Sequence, residues 1–91
     1  MKPQKLTMFY LPGCPYCRQA EQFERELLER KPEYRAVEVE RIDESKQSAL
    51  ADTYDYYYVP AYFLGKEQLF SGAPTEADVE RVFSRALEAE E

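Results

Sequence analysis

Apolar and polar residues alternate along this chain with two periods, one typical of strands and one typical of helices. Residues 6–11 form a short apolar run of strand type. Apolar side chains then recur every three or four positions over Pro15–Arg30, which predicts a helix that Lys31 and Pro32 bring to an end. Along this helix we place the charged residues on the solvent side, namely Glu21, Glu24, Arg25 and Glu29.

A second strand and a short helix are predicted next. Val37 and Val39 alternate with acidic residues, which predicts a half-buried strand over residues 34–42 at the edge of a sheet. Residues 43–45 are acidic or carry a hydroxyl, so they offer caps for a short helix that should end near residue 53.

The C-terminal half has the pattern of a hairpin followed by a helix. A tyrosine-rich loop, residues 54–58, precedes a buried strand at Ala61–Leu64, and a two-residue turn with glycine first would return the chain along Glu67–Ser71. Thr75 and Asp78 have the spacing of a capping box, and the apolar residues behind them predict a last helix. The predicted order is therefore β-α-β-α-β-β-α.

Composition limits the classes of protein that this chain can form. Its 91 residues are 44% hydrophobic and 33% charged, which indicates one globular domain spanning residues 1–91. The net charge of −6 argues against nucleic acid as a partner, because phosphates require a basic patch. No stretch approaches the roughly 20 apolar residues of a membrane span, and the basic start has no signal-peptide pattern behind it. We expect a cytoplasmic monomer.

The motif Cys14-Pro15-Tyr16-Cys17 joins the first strand to the first helix. Pro15 suits the first helical position, so Cys14 becomes the helix N-cap or its neighbour. A sulfur there faces unpaired N–H groups and the positive end of the helix dipole, which both favour the thiolate. We therefore expect Cys14 to be the nucleophile and Cys17, one turn deeper and more buried, to be the resolving thiol. Tyr16 should be exposed, and a role in substrate contact is as plausible as none.

Other uses of two cysteines fit the sequence less well. A structural zinc site needs four nitrogen or sulfur ligands, whereas the chain has two cysteines and no histidine. A stapling disulfide across two residues would constrain little of the unfolded chain. In a cytoplasmic protein a Cys-x-x-Cys pair is more plausibly redox-active than structural.

The predicted order of elements, with Cys14 and Cys17 after the first strand and Val59-Pro60 before the third, resembles the thioredoxin superfamily in its minimal form. The resemblance covers nearly the whole chain. Cys-Pro-Tyr-Cys is typical of dithiol glutaredoxins, whereas the segment that begins at Val59 is more similar to the C-terminal half of a thioredoxin. The resemblance implies an α/β fold with a four-stranded mixed sheet and helices on both faces.

The resemblance also implies a cis peptide bond between Val59 and Pro60. From the residues alone, a trans proline at the first position of a strand is an open alternative. In the family this proline packs beside the reactive sulfurs, and the residue before it offers backbone groups to an extended substrate. By that resemblance, Val59 and Pro60 join Tyr16 as substrate-binding candidates.

Several positions depart from both branches of the family. Leu11 stands where glutaredoxins usually place a lysine for a glutathione carboxylate, and Ala73 and Pro74 follow Gly72 where an acidic cap would meet the glutathione amine. Met8 stands where thioredoxins bury an aspartate, and the chain has no tryptophan. The sequence is a hybrid of the two patterns.

We expect a thiol–disulfide oxidoreductase that needs no cofactor or metal and reduces protein disulfides through a mixed disulfide on Cys14. A thioredoxin-reductase-type flavoprotein is favoured over glutathione as the electron donor. Three alternatives stay open: a glutathione-dependent glutaredoxin, a carrier of an iron–sulfur cluster held by two copies of Cys14 and two glutathiones, and a non-catalytic interaction module. The tyrosines of residues 54–58 either line a substrate groove or pack on the core, and packing is favoured.

Overall fold

Four strands, three α-helices and one 3₁₀ helix make up residues 5–89, the part of the chain that the computed structural model describes. No helix within that range has both the length and the apolar content needed to cross a bilayer. In chain order the elements are β1 (Leu6–Tyr10), α1 (Pro15–Arg30), the 3₁₀ helix (Pro32–Ala36), β2 (Val39–Asp43), α2 (Ser48–Ala51), β3 (Ala61–Leu64), β4 (Glu67–Ser71) and α3 (Glu76–Glu88).

The strands form one mixed sheet in the order β2-β1-β3-β4. Strand β1 runs parallel to β2 and antiparallel to β3, and β3 pairs antiparallel with β4. Helices α1 and α3 cover one face, while α2 and the tyrosine-rich loop cover the other. This arrangement confirms the predicted α/β architecture and the position of β2 at a sheet edge.

Successive residues of β1 serve both faces of the sheet, because side chains alternate along a strand. Leu6 and Met8 belong to the larger core under α1 and α3, and Phe9 belongs to the smaller core under α2. All three are fully buried. The central position of β1 therefore fixes where its carboxyl end, and the turn after it, emerge between the two layers.

Three predicted local features are present in the structure: the bounds of the first helix, the hairpin turn and the capping box of the last helix. Helix α1 has the predicted bounds, and Gly65 opens the hairpin turn with a φ of +63°. At the start of α3, Thr75 Oγ1 accepts the Asp78 N–H at 3.2 Å and Asp78 Oδ2 accepts the Thr75 N–H at 3.0 Å. This reciprocal pair is the predicted capping box.

The prediction of a strand over residues 34–42 is wrong in its first half. Residues Pro32–Ala36 form a 3₁₀ helix, and the strand begins only at Val39. Tyr34 points into the core, where its ring packs edge-on against Phe83 with centroids 6.5 Å apart. This tertiary contact, together with the turn that Pro32 opens, outweighs the period-2 alternation.

Asp43 caps a turn and not a helix. Its Oδ1 accepts the Ser45 N–H at 2.9 Å and the Ser45 hydroxyl at 2.6 Å, and these bonds hold the pKa of the Asp43 carboxyl below its usual range. The short helix α2 begins only at Ser48, and its N-cap Gln47 makes no side-chain capping bond. The predicted caps therefore form an Asx-type turn at the end of β2.

Glu24, which the sequence analysis placed on the solvent side of α1, is 3% exposed. Its carboxylate receives two bonds from Arg41 of β2, at 2.6 and 3.3 Å, and a third from the Tyr62 hydroxyl of β3. Arg41 Nη1 also lies 2.9 Å from Met8 Sδ. The group ties α1 to three strands, because Met8, Arg41 and Tyr62 are paired neighbours across the sheet.

The buried carboxylate depends on its partners. Burial opposes a charge on Arg41, but the hydrogen bonds and attraction of Glu24 raise the pKa of the guanidinium above its ordinary value. Burial, followed by the charge of Glu24, raises the pKa of the Tyr62 phenol. Glu24 and Arg41 are therefore an ion pair with its carboxylate end inside the core, the type of pair that is costly to break on one side only.

Replacement of Arg41 by alanine should lower the free energy of unfolding by about 3 kcal/mol, because Glu24 would stay buried with Tyr62 as its remaining partner. Urea denaturation followed by circular dichroism measures the change. Arg85→Ala is the matched control, since Arg85 pairs with Glu67 on the exposed surface at 3.1 Å and its loss should cost less than about 1 kcal/mol. Equal losses in the two variants would contradict a structural role for the buried pair.

Candidate active site

The turn between β1 and α1 places Cys14 at the N-cap of the helix. Gly13 adopts a φ of +80°, a conformation that side chains rarely allow, and the Cys14 N–H donates to the Leu11 carbonyl at 3.2 Å. Pro15 follows at the first helical position. The side chain of Cys14 then caps the helix, because its Sγ accepts the Cys17 N–H at 3.3 Å. The Cys17 N–H and the positive end of the helix dipole therefore both face this sulfur.

Cys17 lies one turn further along α1 and is 3% exposed, whereas Cys14 is only half-buried. Both thiols are free. Burial, with the hydrogen bond to Cys14 as the second cause, raises the pKa of Cys17 to about 12. The expected difference in burial between the two cysteines is confirmed. Cys17 is therefore a thiol that stays protonated until a reaction brings it a proton acceptor.

The peptide bond between Val59 and Pro60 is cis, as the family resemblance implied. Pro60 is buried, and its carbonyl accepts the N–H of Gly72 at 3.1 Å, which joins the start of β3 to the end of β4. Val59 is half-buried. Its backbone N–H and carbonyl make no hydrogen bond to any residue in the described part of the chain. Two backbone groups are therefore free to pair with an added strand.

A groove of about 480 Å³ runs beside the motif. It brings together Tyr16 and Val59, two of the residues that the sequence predicted as substrate contacts, while Pro60 lies buried directly behind Val59. Leu11 and Tyr16 flank Cys14 in the chain and form one wall. The remaining lining residues are Glu44, Tyr57, Tyr58, Gly72 and Ala73. A groove position was the less favoured of two interpretations for the tyrosines, whereas Glu44 had no predicted role in the site.

The tyrosine-rich loop is divided between the core and the groove. Tyr54 and Tyr56 pack against Phe9 with ring centroids 4.7 and 5.0 Å away, and both also contact Phe63. Tyr57 and Tyr58, in contrast, are 88% and 68% exposed. Packing, the favoured interpretation for the whole cluster, therefore holds for the first pair. A period-2 alternation would group Tyr58 with Tyr54 and Tyr56, so the sequence pattern alone does not separate the packed pair from the exposed pair.

Glu44 is the one charged residue among the described residues that line the groove. Glu44 Oε2 accepts the Tyr56 hydroxyl at 2.9 Å. Burial, then this bond, raises the pKa of the Tyr56 phenol, and the charge of Asp52 acts in the same direction. None of the residues that line the groove is a lysine or an arginine. Within residues 5–89, no group of three or more acidic, cysteine or histidine side chains lies close enough together to hold a metal ion.

Comparison with known proteins agrees with this geometry. The model of the thioredoxin domain family matches residues 5–84. Among solved structures, a mutant thioredoxin from Halobacterium salinarum NRC-1 aligns with a TM-score of 0.69 and 24% identity over 99% of this chain and 80% of its own. The oxidised thioredoxin from Plasmodium falciparum gives a TM-score of 0.68 at 13% identity over 94% of this chain and 83% of its own.

A further thioredoxin structure, from Fasciola hepatica, aligns with a TM-score of 0.66 and 21% identity over 93% of this chain and 83% of its own. These structural similarities concern the fold. A search of the curated proteins found no match.

A four-stranded mixed sheet with a Cys-x-x-Cys pair at the N-terminus of its first helix defines the class of dithiol proteins with a thioredoxin fold. The chain belongs to the thioredoxin domain family. Membership of this family, together with the Cys14 and Cys17 pair, indicates thiol–disulfide oxidoreductase activity.

In the reduced protein, iodoacetamide at pH 7 should alkylate Cys14 at least about tenfold faster than Cys17, because Cys17 is buried and protonated. Since its pKa is about 12, alkylation of Cys17 should keep rising between pH 8 and pH 10, by about tenfold for each pH unit. Mass spectrometry of the separated peptides measures both rates. Equal rates at pH 7, or a plateau for Cys17 below pH 9, would contradict the assignment.

Proposed function

We propose that this protein reduces disulfides of other proteins by dithiol exchange. The observation that carries the proposal is the position of Cys14 Sγ, which accepts the Cys17 N–H at the N-cap of α1. The second thiol is buried, and Tyr16, between the two cysteines, lines an open groove. This arrangement offers one accessible nucleophile and one protected thiol. The proposed setting is the reducing cytoplasm, where such a pair is regenerated after each turnover.

The reaction has two exchange steps. Cys14 thiolate attacks one sulfur of the substrate disulfide, forms a mixed disulfide and expels the other sulfur as a thiolate. That leaving thiolate can accept the proton of Cys17. The Cys17 thiolate then attacks Cys14 Sγ, which forms the Cys14–Cys17 disulfide and releases the second substrate sulfur as a thiolate. In total, two electrons pass from the dithiol to the substrate, which leaves as two thiols after its last sulfur takes up a proton.

The free backbone of Val59 suits an extended substrate. Its N–H and carbonyl are without a protein partner within residues 5–89, and it lines the groove next to Tyr16. A polypeptide segment that pairs with these groups would be held by strand addition, the mode of recognition that uses the backbone for affinity and the neighbouring pockets for specificity. We therefore expect the substrates to be proteins in which the chain around the disulfide is extended or locally unfolded.

Replacement of Cys17 by serine should trap substrates as mixed disulfides on Cys14, because the attacking sulfur remains and the resolving sulfur is lost. Cys14→Ser is the matched control, and it should trap nothing although it also keeps one thiol. Non-reducing gels after mixing with a disulfide protein such as insulin, followed by mass spectrometry, measure the adducts. Equal trapping by the two variants would refute the assigned roles.

The groove favours a flavoprotein reductase over glutathione as the electron donor. Glutathione carries two carboxylates and one amine, whereas the groove presents Glu44 and no cation. Leu11 occupies the wall next to the motif, and Ala73 follows Gly72 where an acidic group would be needed for the amine. Loss of one charged hydrogen-bond partner typically costs about 1.5–3 kcal/mol, or roughly ten- to a hundredfold in affinity.

In a coupled NADPH assay, the oxidised protein should therefore turn over faster with thioredoxin reductase than with glutathione and glutathione reductase. Leu11→Lys should raise turnover with glutathione by about tenfold, since it restores the missing cation. Leu11→Met is the matched control and should leave the glutathione rate low. Rapid turnover of the unchanged protein with glutathione, and none with the reductase, would identify a glutaredoxin in function as well as in motif.

A further inference from the structure

The groove beside Cys14 is walled by exposed aromatic rings on two sides. Tyr16 on α1 is 49% exposed, and Tyr57 and Tyr58 on the loop before Pro60 are still more accessible. Exposed apolar residues that lie together mark interaction sites more often than single ones do, and tyrosine is enriched among the residues that dominate binding. The large apolar area of a tyrosine ring attracts apolar side chains. The face of the ring also attracts cations, because it carries negative charge density.

The loop that carries Tyr57 and Tyr58 is anchored to the core by its other two tyrosines. Tyr54 and Tyr56 pack on Phe9, and the ammonium of Lys66 lies 3.8 Å from the centre of the Tyr54 ring. Lys66 Nζ also donates to the carbonyl and hydroxyl of Thr53 at 3.3 Å. These contacts anchor the loop on either side of Asp55, so less backbone freedom is lost when a partner binds to the neighbouring Tyr57 and Tyr58.

The charge of the groove has one sign. Glu44 lines it and accepts only the Tyr56 hydroxyl among the described side chains, while Asp52 lies close enough to raise the pKa of that phenol. Asp52 is not among the lining residues, so Glu44 is the carboxylate in the groove, and no lysine or arginine of residues 5–89 lines the groove to neutralise it. A bound group that combines a positive charge with a flat or aliphatic body would contact both the rings and the Glu44 carboxylate.

We propose that the groove selects polypeptide segments with an arginine or lysine beside the disulfide cysteine, and that Glu44, Tyr57 and Tyr58 are the specificity-determining residues. The proposal rests on the proposed function and deepens it by naming the substrate class. An extended segment paired with the backbone of Val59 would direct alternate side chains toward the groove wall. There the cation would meet the Glu44 carboxylate and the faces of Tyr57 and Tyr58.

The test uses three peptides that differ only in the residues on either side of one cysteine, which are arginine, glutamine or glutamate. Each cysteine carries a nitrothiobenzoate as a mixed disulfide, so attack by the reduced protein releases a coloured thiolate. Rates are divided by those with dithiothreitol, which removes the intrinsic reactivity of each disulfide. With the reduced protein as the stoichiometric reductant, the arginine peptide should show a second-order rate constant about fivefold above the glutamine peptide and still further above the glutamate peptide.

Matched variants separate the groove from the overall charge of the protein. Glu44→Gln should remove most of the preference for arginine, whereas Glu33→Gln, the same change on the remote 3₁₀ helix, should keep it. Tyr57→Leu and Tyr58→Leu retain apolar surface and lose the aromatic face, so each should lower the preference by about twofold. Both tyrosines are exposed, so these variants should fold normally.

Each outcome supports or overturns a defined statement. An equal preference in the unchanged protein, Glu44→Gln and Glu33→Gln would show that net charge selects the peptides, and the groove proposal would fail. Equal normalised rates for the three peptides would overturn it as well. If the protein reacts with none of the peptides and reduces no insulin, the proposed function itself fails, which is a separate result.

Discussion

The single contact between the Cys17 N–H and Cys14 Sγ joins the fold of this protein to its chemistry. The first turn of any helix leaves N–H groups without partners, and here a sulfur atom meets that need. The same atom is positioned for nucleophilic attack. Gly13 supplies the backbone conformation and Pro15 the preorganised first helical residue. The reactive group is therefore placed by the same local rules that start the helix.

The position of this cap in the molecule comes from the sheet. Strand β1 lies between β2 and β3 and is buried on both faces, so the chain leaves the centre of the sheet when it reaches the turn. Pro60 directly precedes β3, the neighbour of β1, and Gly72 directly follows β4. The cysteine turn, the cis peptide bond and Gly72, whose N–H donates to the Pro60 carbonyl, therefore lie at the same end of the sheet. Their proximity is a result of strand order.

Local signals in the sequence predicted the local features well. The bounds of α1, the glycine turn of the hairpin and the Thr75 capping box follow from short-range rules, and the structure contains all three. The cis bond at Pro60 came only from the family resemblance. The groove was harder to predict, because its walls come from residues 11, 16, 44, 57–59 and 72–73, which are distant in sequence.

The failures have a common physical origin in tertiary contacts. Tyr34 packs on Phe83, which turns the predicted start of β2 into a 3₁₀ helix. Glu24 was assigned to the solvent because it is charged, although it lies seven residues after Cys17 and thus shares a helix face with it. Arg41 likewise continues the alternation of Val37 and Val39. Those two spacings, taken together, could have indicated the buried pair.

The pairing of Glu24 with Arg41 also constrains how this family member can diverge. A change at either position alone leaves a charge without its partner in or beside the core, so most single changes are unfavourable. A matched pair of apolar residues would fill the same space without a desolvation penalty. Among descendants of this sequence, positions 24 and 41 should therefore covary, with acidic–basic and apolar–apolar combinations far more frequent than mixed ones.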